Sequence, residues 1–249
     1  MKNDVLLKSN LKSLRLPTMF REHEKIARQC AKENKDYNKF LEELSSLEVT
    51  ERFARANSRR VQQAGFPISK ELSDFNFSQS PSVNKKRILD LYKGDFIRKQ
   101  ENIVFVGPPG VGKTHLSIAI GREACRRGFK VKYFTAAGLV NDYVEARAER
   151  EVKRLEAHIK TKHLIIVDEL GYIPFSQAGS ESLFGFFSQC YEQTSVIITT
   201  NLPFSEWPQV FSGDERLAGA LLDRLTHRIH IVEMNEDSYR LKNSLKAKD

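Results

Sequence analysis

The sequence contains few cysteines and no long apolar run. Its three cysteines, Cys30, Cys125 and Cys190, are odd in number, widely spaced and free of any CxxC pair. This pattern argues against a disulfide framework and a zinc site, and it is typical of a reducing compartment. No apolar stretch approaches the ~20 residues that cross a bilayer, and the first residues lack the apolar segment of a signal peptide. We therefore expect a soluble, cytoplasmic protein with no membrane partner.

The chain also lacks a strong excess of either charge. Lys and Arg together number 40 and Asp and Glu number 32, which leaves a formal net charge of +8 over 249 residues. This excess permits a nucleic acid or another anionic partner without requiring one. A hydrophobic content of 40%, with 16 Phe and 7 Tyr, is enough for a large core and excludes a wholly disordered chain.

The first 66 residues have a helical pattern and almost no strand signal. Apolar residues recur at spacings of three and four from Leu7 to Phe53, which predicts amphipathic helices. Pro17 predicts a break after a short first helix, and a Gly-Phe-Pro turn ends the last one. We expect a small all-α domain over 1–66. Its mixed charges fit either a solvated helical face or a surface for assembly, DNA or a partner.

From residue 102 the pattern changes to short apolar runs that alternate with helical stretches. The preceding segment, 67–101, is predicted to be a connector with polar clusters and one helical stretch over 85–93. The predicted strands cover 103–106, 130–135, 163–168, 195–200 and 228–232. The predicted helices between them lie near 113–127, 136–160 (divided into two helices), 177–193 and 214–226. Buried strands that alternate with helices predict a doubly wound α/β domain over 102–249, with a parallel five-stranded sheet.

A glycine-rich segment follows the first predicted strand and opens a helix. Its residues match the pattern G-x-x-x-x-G-K-[ST], and they are Gly107, Pro108, Pro109, Gly110, Val111, Gly112, Lys113 and Thr114. Glycines let backbone N–H groups curl around a phosphate, and the positive end of the following helix points to the same anion. The pattern assigns Lys113 to the β- and γ-phosphates and the Thr114 hydroxyl to Mg²⁺. The sequence therefore predicts a nucleotide-binding P-loop rather than a structural glycine turn.

Polar residues follow the third and fourth predicted strands. Asp168 and Glu169 come directly after the apolar run 164–167. Both residues are expected at the carboxyl edge of a parallel sheet, where ligands bind. Asp168 suits the role of an outer-shell ligand of Mg²⁺, and Glu169 suits the role of the general base that activates water for attack on the γ-phosphate. Asn201 follows the fourth strand, where an amide can orient that water, although asparagine is also a common turn residue. Together with the P-loop, these residues predict hydrolysis of ATP.

Several longer segments resemble one protein family. They are 74–77 (DFNF), 107–116 (GPPGVGKTHL), 168–172 (DELGY), 199–201 (TTN), 206–207 (EW), 221–227 (LLDRLTH) and 238–240 (SYR). Together they are similar to IstB, the helper ATPase of bacterial insertion sequences, and to the DnaC-type helicase loaders. The segments 206–207 and 223–227 look closer to IstB. The resemblance covers nearly the whole chain and implies an AAA+ P-loop ATPase of the bacterial cytosol, with ATP and Mg²⁺ as cofactors.

The resemblance implies further residues around the nucleotide. His115 belongs to the same motif as the P-loop and is expected at the nucleotide site. Phe75 and Phe77 would line an adenine pocket, and the alternative is that both are core anchors of the connector. AAA+ proteins usually carry a helical lid after the fifth strand, and the 17 residues after Val232 are too few for one. Arg240 would then either replace the arginine of that lid or be an exposed tail residue.

The resemblance also implies an arginine finger, which enters the site of a neighbouring subunit where charge develops on the γ-phosphate. Arg224 fits this role, and Arg216 is the second candidate. The alternative for Arg224 is an ion pair with Asp223 or Asp214 on a solvated helix.

The stretch between the second and third predicted strands is a candidate DNA surface. Arg147, Arg150 and Arg154 fall at spacings of three and four, with Lys153 beside them, so we expect a row of cations on one helix face. Four glutamates interleave with these cations, and a salt-bridged exposed helix is the alternative. The run 85–87 (KKR) is a second candidate. No motif for base-specific recognition is visible.

The function that the resemblance implies is that of a transposition helper. We expect an ATP-dependent homo-oligomer, a ring or a spiral, on duplex DNA of any sequence, which recruits a transposase and comes apart on hydrolysis. A DnaC-type helicase loader that holds single-stranded DNA is the first alternative. A P-loop kinase is disfavoured because the two acids and Asn201 favour water as the acceptor. A binding module without hydrolysis is disfavoured because Lys113, Asp168 and Glu169 are all present.

Overall fold

The computed structural model describes residues 2–236 and 238, and the chain divides into two compact units, residues 1–59 and 60–249. Helices α1 (Lys2–Ser13), α2 (Pro17–Lys32) and most of α3 (Tyr37–Ala64) form the first unit. The predicted break at Pro17 is confirmed, because α2 begins there. The predicted domain limits at residues 66 and 101 stay predictions.

A buried carboxylate fixes the start of α2 in the first unit. Glu48 of α3 is 3% exposed and accepts the backbone N–H groups of Thr18 and Met19 at 2.7 and 3.1 Å. Burial alone would raise the pKa of Glu48, but these hydrogen bonds and the charges of Arg52 and Arg55 together hold the pKa below its usual value. The first N–H groups of α2 therefore find a charged acceptor, as a helix N-terminus requires.

The second unit contains all five strands. Its elements after α3 are α4 (Lys85–Tyr92), α5 (Asp95–Arg98), β1 (Asn102–Val106), α6 (Lys113–Arg126), β2 (Val131–Thr135), α7 (Ala136–Ala148), α8 (Val152–Lys160), β3 (Leu164–Leu170), α9 (Gln177–Cys190), β4 (Ser195–Thr200), α10 (Trp207–Val210), α11 (Glu215–Thr226) and β5 (Ile229–Glu233). All strand pairs are parallel, in the order β2-β3-β4-β1-β5. The predicted doubly wound α/β fold is confirmed, and all carboxyl ends of the strands meet at one edge of the sheet.

Each face of the sheet has its own hydrophobic core. On one face, β3 and β4 pack against α7, α9 and α11. Trp207, the only tryptophan of the sequence, is fully buried in this core, with its ring 5.2 Å from that of Phe204 and 6.5 Å from that of Phe211. Buried aromatic groups contribute strongly to a core because each removes a large apolar area from water.

On the other face, the predicted connector takes part in the core. Helix α6 covers this face, and Ile88, Leu91, Phe96 and Ile97 of α4 and α5 join it in one buried cluster. The segment before β1 is therefore an integral part of the second unit.

Two further expectations concern helices. After β5, residues 234–236 and 238 form no helix, and the predicted role of Arg240 lies outside the described residues. In the part of the chain that the structure describes, no helix is long and apolar enough to cross a membrane.

Candidate active site

The P-loop connects the carboxyl end of β1 to the start of α6 at Lys113. Two of its glycines are required by close neighbours. A Cβ on Gly107 would lie 2.0 Å from the carbonyl oxygen of Met234, and a Cβ on Gly112 would lie 2.7 Å from Cε2 of Phe75. Gly112 also has a φ of +106°, which side-chain-bearing residues rarely adopt. The loop therefore takes a path that only glycine allows at these points.

Lys113 and Thr114 open α6 and point in different directions. Nζ of Lys113 donates to the carbonyl oxygens of Gly107 and Pro108 at 2.6 and 2.7 Å, so the ammonium group is held against the backbone of the P-loop. Oγ1 of Thr114 donates to Oδ1 of Asp168 at 3.0 Å. The structure thus brings together three residues that the sequence assigned to one site.

Asp168 lies near the end of β3, is 2% exposed and accepts three hydroxyl groups. Besides Thr114, Thr199 of β4 donates to Oδ1, and Tyr133 of β2 donates to Oδ2 at 2.6 Å. Burial and then the hydrogen bond to the carboxylate raise the pKa of Tyr133, so its hydroxyl stays protonated and donates. The order β2-β3-β4 puts both donors beside Asp168.

Glu169 differs from Asp168 in exposure and in backbone conformation. Its side chain is exposed at the carboxyl edge, and its φ is +61° in the left-handed region. The pairing of β3 with β4 shifts register between Val167 and Leu170, so Glu169 lies in a bulge. Its N–H donates to Oγ1 of Thr199 at 2.9 Å. Strained backbone of this kind is concentrated at functional sites, and here it turns a carboxylate outward beside a buried one.

A cavity of about 270 Å³ adjoins the P-loop. One wall is formed by 110–115, and the other by connector residues that include Ile68, Asp74 and Phe75. Phe77 is not among the lining residues; its ring packs edge-on against Phe75 at 4.9 Å. Of the two predicted adenine-pocket residues, Phe75 therefore lines the cavity and Phe77 supports it from behind.

A cluster of charges attaches this cavity wall to α6, and the sequence analysis missed it. The carboxylate of Glu71 accepts Nε of Arg122 at 2.8 Å and also pairs with Arg126. The carbonyl oxygen of Glu71 lies 2.8 Å from Nε2 of His115. Burial would raise the pKa of Glu71, but the two guanidinium groups outweigh it and hold the pKa below its usual value. Arginines at 122 and 126, one helical turn apart, were the signal that could have indicated an acidic partner.

Asn201 and Arg224 lie at opposite edges of the sheet. Asn201 follows β4 at the carboxyl edge and is exposed. Arg224 is in the last turn of α11, where the carbonyl oxygen of Leu225 accepts Nδ2 of Asn102 at the start of β1. The five residues of β1 span ~16 Å, so Arg224 is distant from the P-loop of its own chain.

The side chain of Arg224 does not form the ion pair that was the alternative to a finger. Its guanidinium carbon lies 4.6 Å from the centre of the Phe184 ring, and NH1 donates to Oγ of Ser188. Both partners belong to α9. Arg216 is exposed in the first turn of α11.

The predicted row of cations on a single helix face is wrong. Arg147 belongs to α7, Lys153 and Arg154 belong to α8, and Arg150 lies between the helices with a φ of +62°. The chain turns at Arg150, so spacings counted along one helix do not apply. All four side chains are exposed, and Arg154 lies 3.8 Å from Glu151. The second candidate, 85–87, forms the exposed first turn of α4.

Comparisons with known proteins agree with this geometry. A family model described as IstB-like ATP binding protein matches residues 9–247. A Geobacillus stearothermophilus protein named for insertion sequence IS5376 and ATP binding is 38% identical over 230 residues, which are 92% of this chain and 91% of that protein. A Pseudomonas aeruginosa protein named for IS21 and ATP binding is 34% identical over 224 residues, 90% of this chain and 84% of its own.

Solved structures share the fold at lower identity. The AMPPCP-bound DnaA of Aquifex aeolicus has a TM-score of 0.55 and 21% identity, over 74% of this chain and 56% of that chain. A crystal structure of the DnaC helicase loader has a TM-score of 0.51 and 22% identity, over 70% of this chain and 98% of that chain. These likenesses show the fold alone.

Proposed function

The chain belongs to the IstB-like ATP-binding protein family, and we propose that it is the helper ATPase of an insertion sequence. It binds ATP and Mg²⁺, assembles on duplex DNA and recruits a transposase, and hydrolysis dismantles the assembly. The observation that carries this proposal is the meeting of Lys113, Thr114, Asp168 and the outward Glu169 at the carboxyl edge of one sheet.

The P-loop supplies the phosphate site. Its backbone N–H groups and the start of α6 favour an anion. When the nucleotide binds, the ammonium group of Lys113 leaves the carbonyl oxygens of Gly107 and Pro108 and contacts the β- and γ-phosphates. Oγ1 of Thr114 and Oδ1 of Asp168 are 3.0 Å apart, and such a hydroxyl–carboxylate pair fits Mg²⁺, which is often held by one or two protein oxygens with phosphates and water. The ion would neutralise charge on the phosphates. The cavity beside Phe75 is large enough to accept part of the nucleoside.

Glu169 and Asn201 supply the water side of the reaction. Glu169 is exposed next to the buried Asp168, so its carboxylate is free to accept a proton from water that attacks the γ-phosphate. Asn201 leaves the neighbouring strand at the same edge and orients that water through its amide.

Arg224 acts in a second copy of the chain. The end of its helix contacts the start of β1, and the ~16 Å length of β1 separates that point from the P-loop of the same chain. Arg224 therefore stabilises γ-phosphate charge in a neighbouring subunit. The contact joins two different surfaces of the chain, and such heterologous contacts build rings or spirals. Assembly and hydrolysis are therefore coupled.

DNA and transposase are the partners that the family context supports, since the named relatives belong to insertion sequences. The exposed cations Arg147, Arg150, Lys153 and Arg154, and those of 85–87, are available for phosphate contacts on duplex DNA.

Binding to duplex and single-stranded DNA, with ATP and with ADP, while particle mass is recorded, tests this function. We expect cooperative, ATP-dependent assembly on duplex DNA of arbitrary sequence, and none for Lys113→Ala. Preference for single strands, or binding only when a helicase is added, would instead favour the loader function. The Arg147→Ala/Arg154→Ala variant is expected to bind DNA with a weaker salt dependence. The slope of log binding constant against log salt concentration should become less steep by ~0.9 for each lost phosphate contact.

A further inference from the structure

We propose that Thr199 is a positioning residue that sets the geometry of both acids of the active site. This inference rests on the proposed ATP hydrolysis. Thr199 lies on β4 and is 1% exposed, so its hydroxyl is shielded from bulk solvent. It contacts the carboxylate of Asp168 and the backbone of Glu169 at the same time.

The directions of the two hydrogen bonds follow from their chemistry. The N–H of Glu169 can only donate, so Oγ1 of Thr199 accepts it at 2.9 Å. The single hydroxyl proton of Thr199 then goes to Oδ1 of Asp168. The same hydroxyl thus donates to Asp168 and accepts from the adjacent Glu169. Neither valine, which has no hydroxyl, nor a side chain that only accepts can replace it.

Glu169 depends on this bond because its backbone has left the regular ladder. The register shift between Val167 and Leu170 displaces the residue from β-pairing, and its φ of +61° is unfavourable for any residue with a Cβ. The Thr199 hydroxyl satisfies the N–H that the bulge displaces from the ladder. Without that acceptor, the bulge can relax toward an extended strand. Side chains alternate between faces in a strand, so the Glu169 carboxylate would then point elsewhere.

Asp168 receives a second, independent support from Tyr133. The phenol on β2 donates to Oδ2 at 2.6 Å, whereas Thr199 and Thr114 contact Oδ1. Tyr133 and Thr199 therefore hold the carboxylate from the strands on either side of β3. Tyr133 orients the metal-side acid only, and Thr199 orients both acids.

This difference predicts different kinetic effects for two variants that each lose one hydroxyl. Tyr133→Phe is expected to raise the Mg²⁺ concentration needed for half-maximal ATPase rate, and to lower kcat less than about threefold at saturating Mg²⁺. Thr199→Val is expected to raise that concentration as well, and to lower kcat at least tenfold at saturating Mg²⁺. A tenfold loss corresponds to ~1.4 kcal/mol of transition-state stabilisation. ATP affinity should stay within about threefold of wild type for both, because neither residue lines the nucleotide cavity.

The experiment measures ATPase rate against Mg²⁺ and ATP for the full chain with duplex DNA, together with ATP affinity and ATP-dependent particle mass. Thr199→Ser keeps the hydroxyl and should restore at least half of kcat, which a purely structural role for the Thr199 methyl group would not allow. If Thr199→Val fails to fold, Thr199→Cys keeps a similar volume with a weaker donor, and its kcat should fall between that of Thr199→Ser and that of a Glu169→Gln variant.

Three outcomes would overturn the inference. The first is a kcat within twofold of wild type for a folded Thr199→Val at saturating Mg²⁺. The second is a Thr199→Ser variant as impaired as Thr199→Val, and the third is a loss of ATP affinity that accounts for the whole effect. A wild-type chain that hydrolyses no ATP on DNA would instead overturn the proposed function itself, and this inference with it.

Discussion

Glu71→Gln removes the charge that attaches the connector wall of the nucleotide cavity to α6. The carboxylate of Glu71 pairs with Arg122 and Arg126, and the next residues of the connector run to Phe75, which contacts the P-loop at Gly112. Glutamine keeps the size of the side chain but loses the charge and one acceptor. We expect the connector wall to become less ordered and the nucleotide to bind more weakly, whereas the catalytic acids stay in place.

The size of the effect follows from exposure. Hydrogen bonds to charged groups contribute ~1.5–3 kcal/mol when they are shielded from water. The side chains here are 27% exposed for Glu71, 20% for Arg122 and 35% for Arg126, so screening leaves ~2 kcal/mol for the cluster. For a unit of this size, that loss lowers Tm by ~4–8 °C. If the whole ~2 kcal/mol were needed to order the cavity wall, ATP affinity would fall ~30-fold. We expect a loss of about tenfold, because only part of that free energy is needed to order the wall.

The assay is ATP titration and thermal unfolding of Glu71→Gln beside a matched control, Glu123→Gln. Glu123 also pairs with Arg126, at 3.0 Å, and its other partner, Arg127, directly follows α6, so neither arginine belongs to the connector. The control should lose stability and keep ATP affinity within about twofold of wild type. Equal losses of ATP affinity in the two variants would refute the reasoning, because charge at α6 would then matter and attachment of the connector would not.

Two further predictions concern trans action and pH. Lys113→Ala and Arg224→Ala should each lack ATPase activity. A mixture of the two should recover part of that activity, because the Lys113→Ala chain supplies Arg224 to the intact P-loop of the Arg224→Ala chain. A mixture that stays inactive would argue against a finger at Arg224, and Arg216→Ala would be measured next. The pKa of Glu71 is lowered in the fold, so its charge stabilises the protein above the usual carboxyl pKa and that contribution is lost as pH falls through the lower folded value. The Tm difference between wild type and Glu71→Gln should therefore shrink below pH ~4.3, and a difference that persists unchanged at pH ~3.5 would contradict the assigned charge.

Much of the second unit could be predicted because its strands are continuous apolar runs. The observed strand 195–200 matches the prediction residue for residue, and β3 extends two residues past its predicted end at 168. A strand that is buried on both faces is a continuous apolar run in the sequence, so it can be recognised without an alternating pattern. The P-loop and the two acids near the end of β3 were predicted for a similar reason, since each directly follows an apolar run in the sequence.

The contacts between strands could not be predicted, because they depend on strand order. Tyr133 and Thr199 reach Asp168 only because β2 and β4 flank β3, and chain order does not give that arrangement. The bulge at Glu169 is likewise a product of pairing with β4. The row of cations failed for a local reason: the chain turns at Arg150, and no glycine or proline marks that turn in the sequence.

The position of the single tryptophan makes the two units spectroscopically distinct. Trp207 is fully buried in the core beneath α9 and α11 of the second unit, and residues 1–59 contain no tryptophan. Its fluorescence emission therefore reports the opening of that core alone, whereas far-ultraviolet circular dichroism also records the helices of the first unit. Recorded together during denaturant unfolding, the two signals would coincide if the units unfold as one and separate if the first unit unfolds independently.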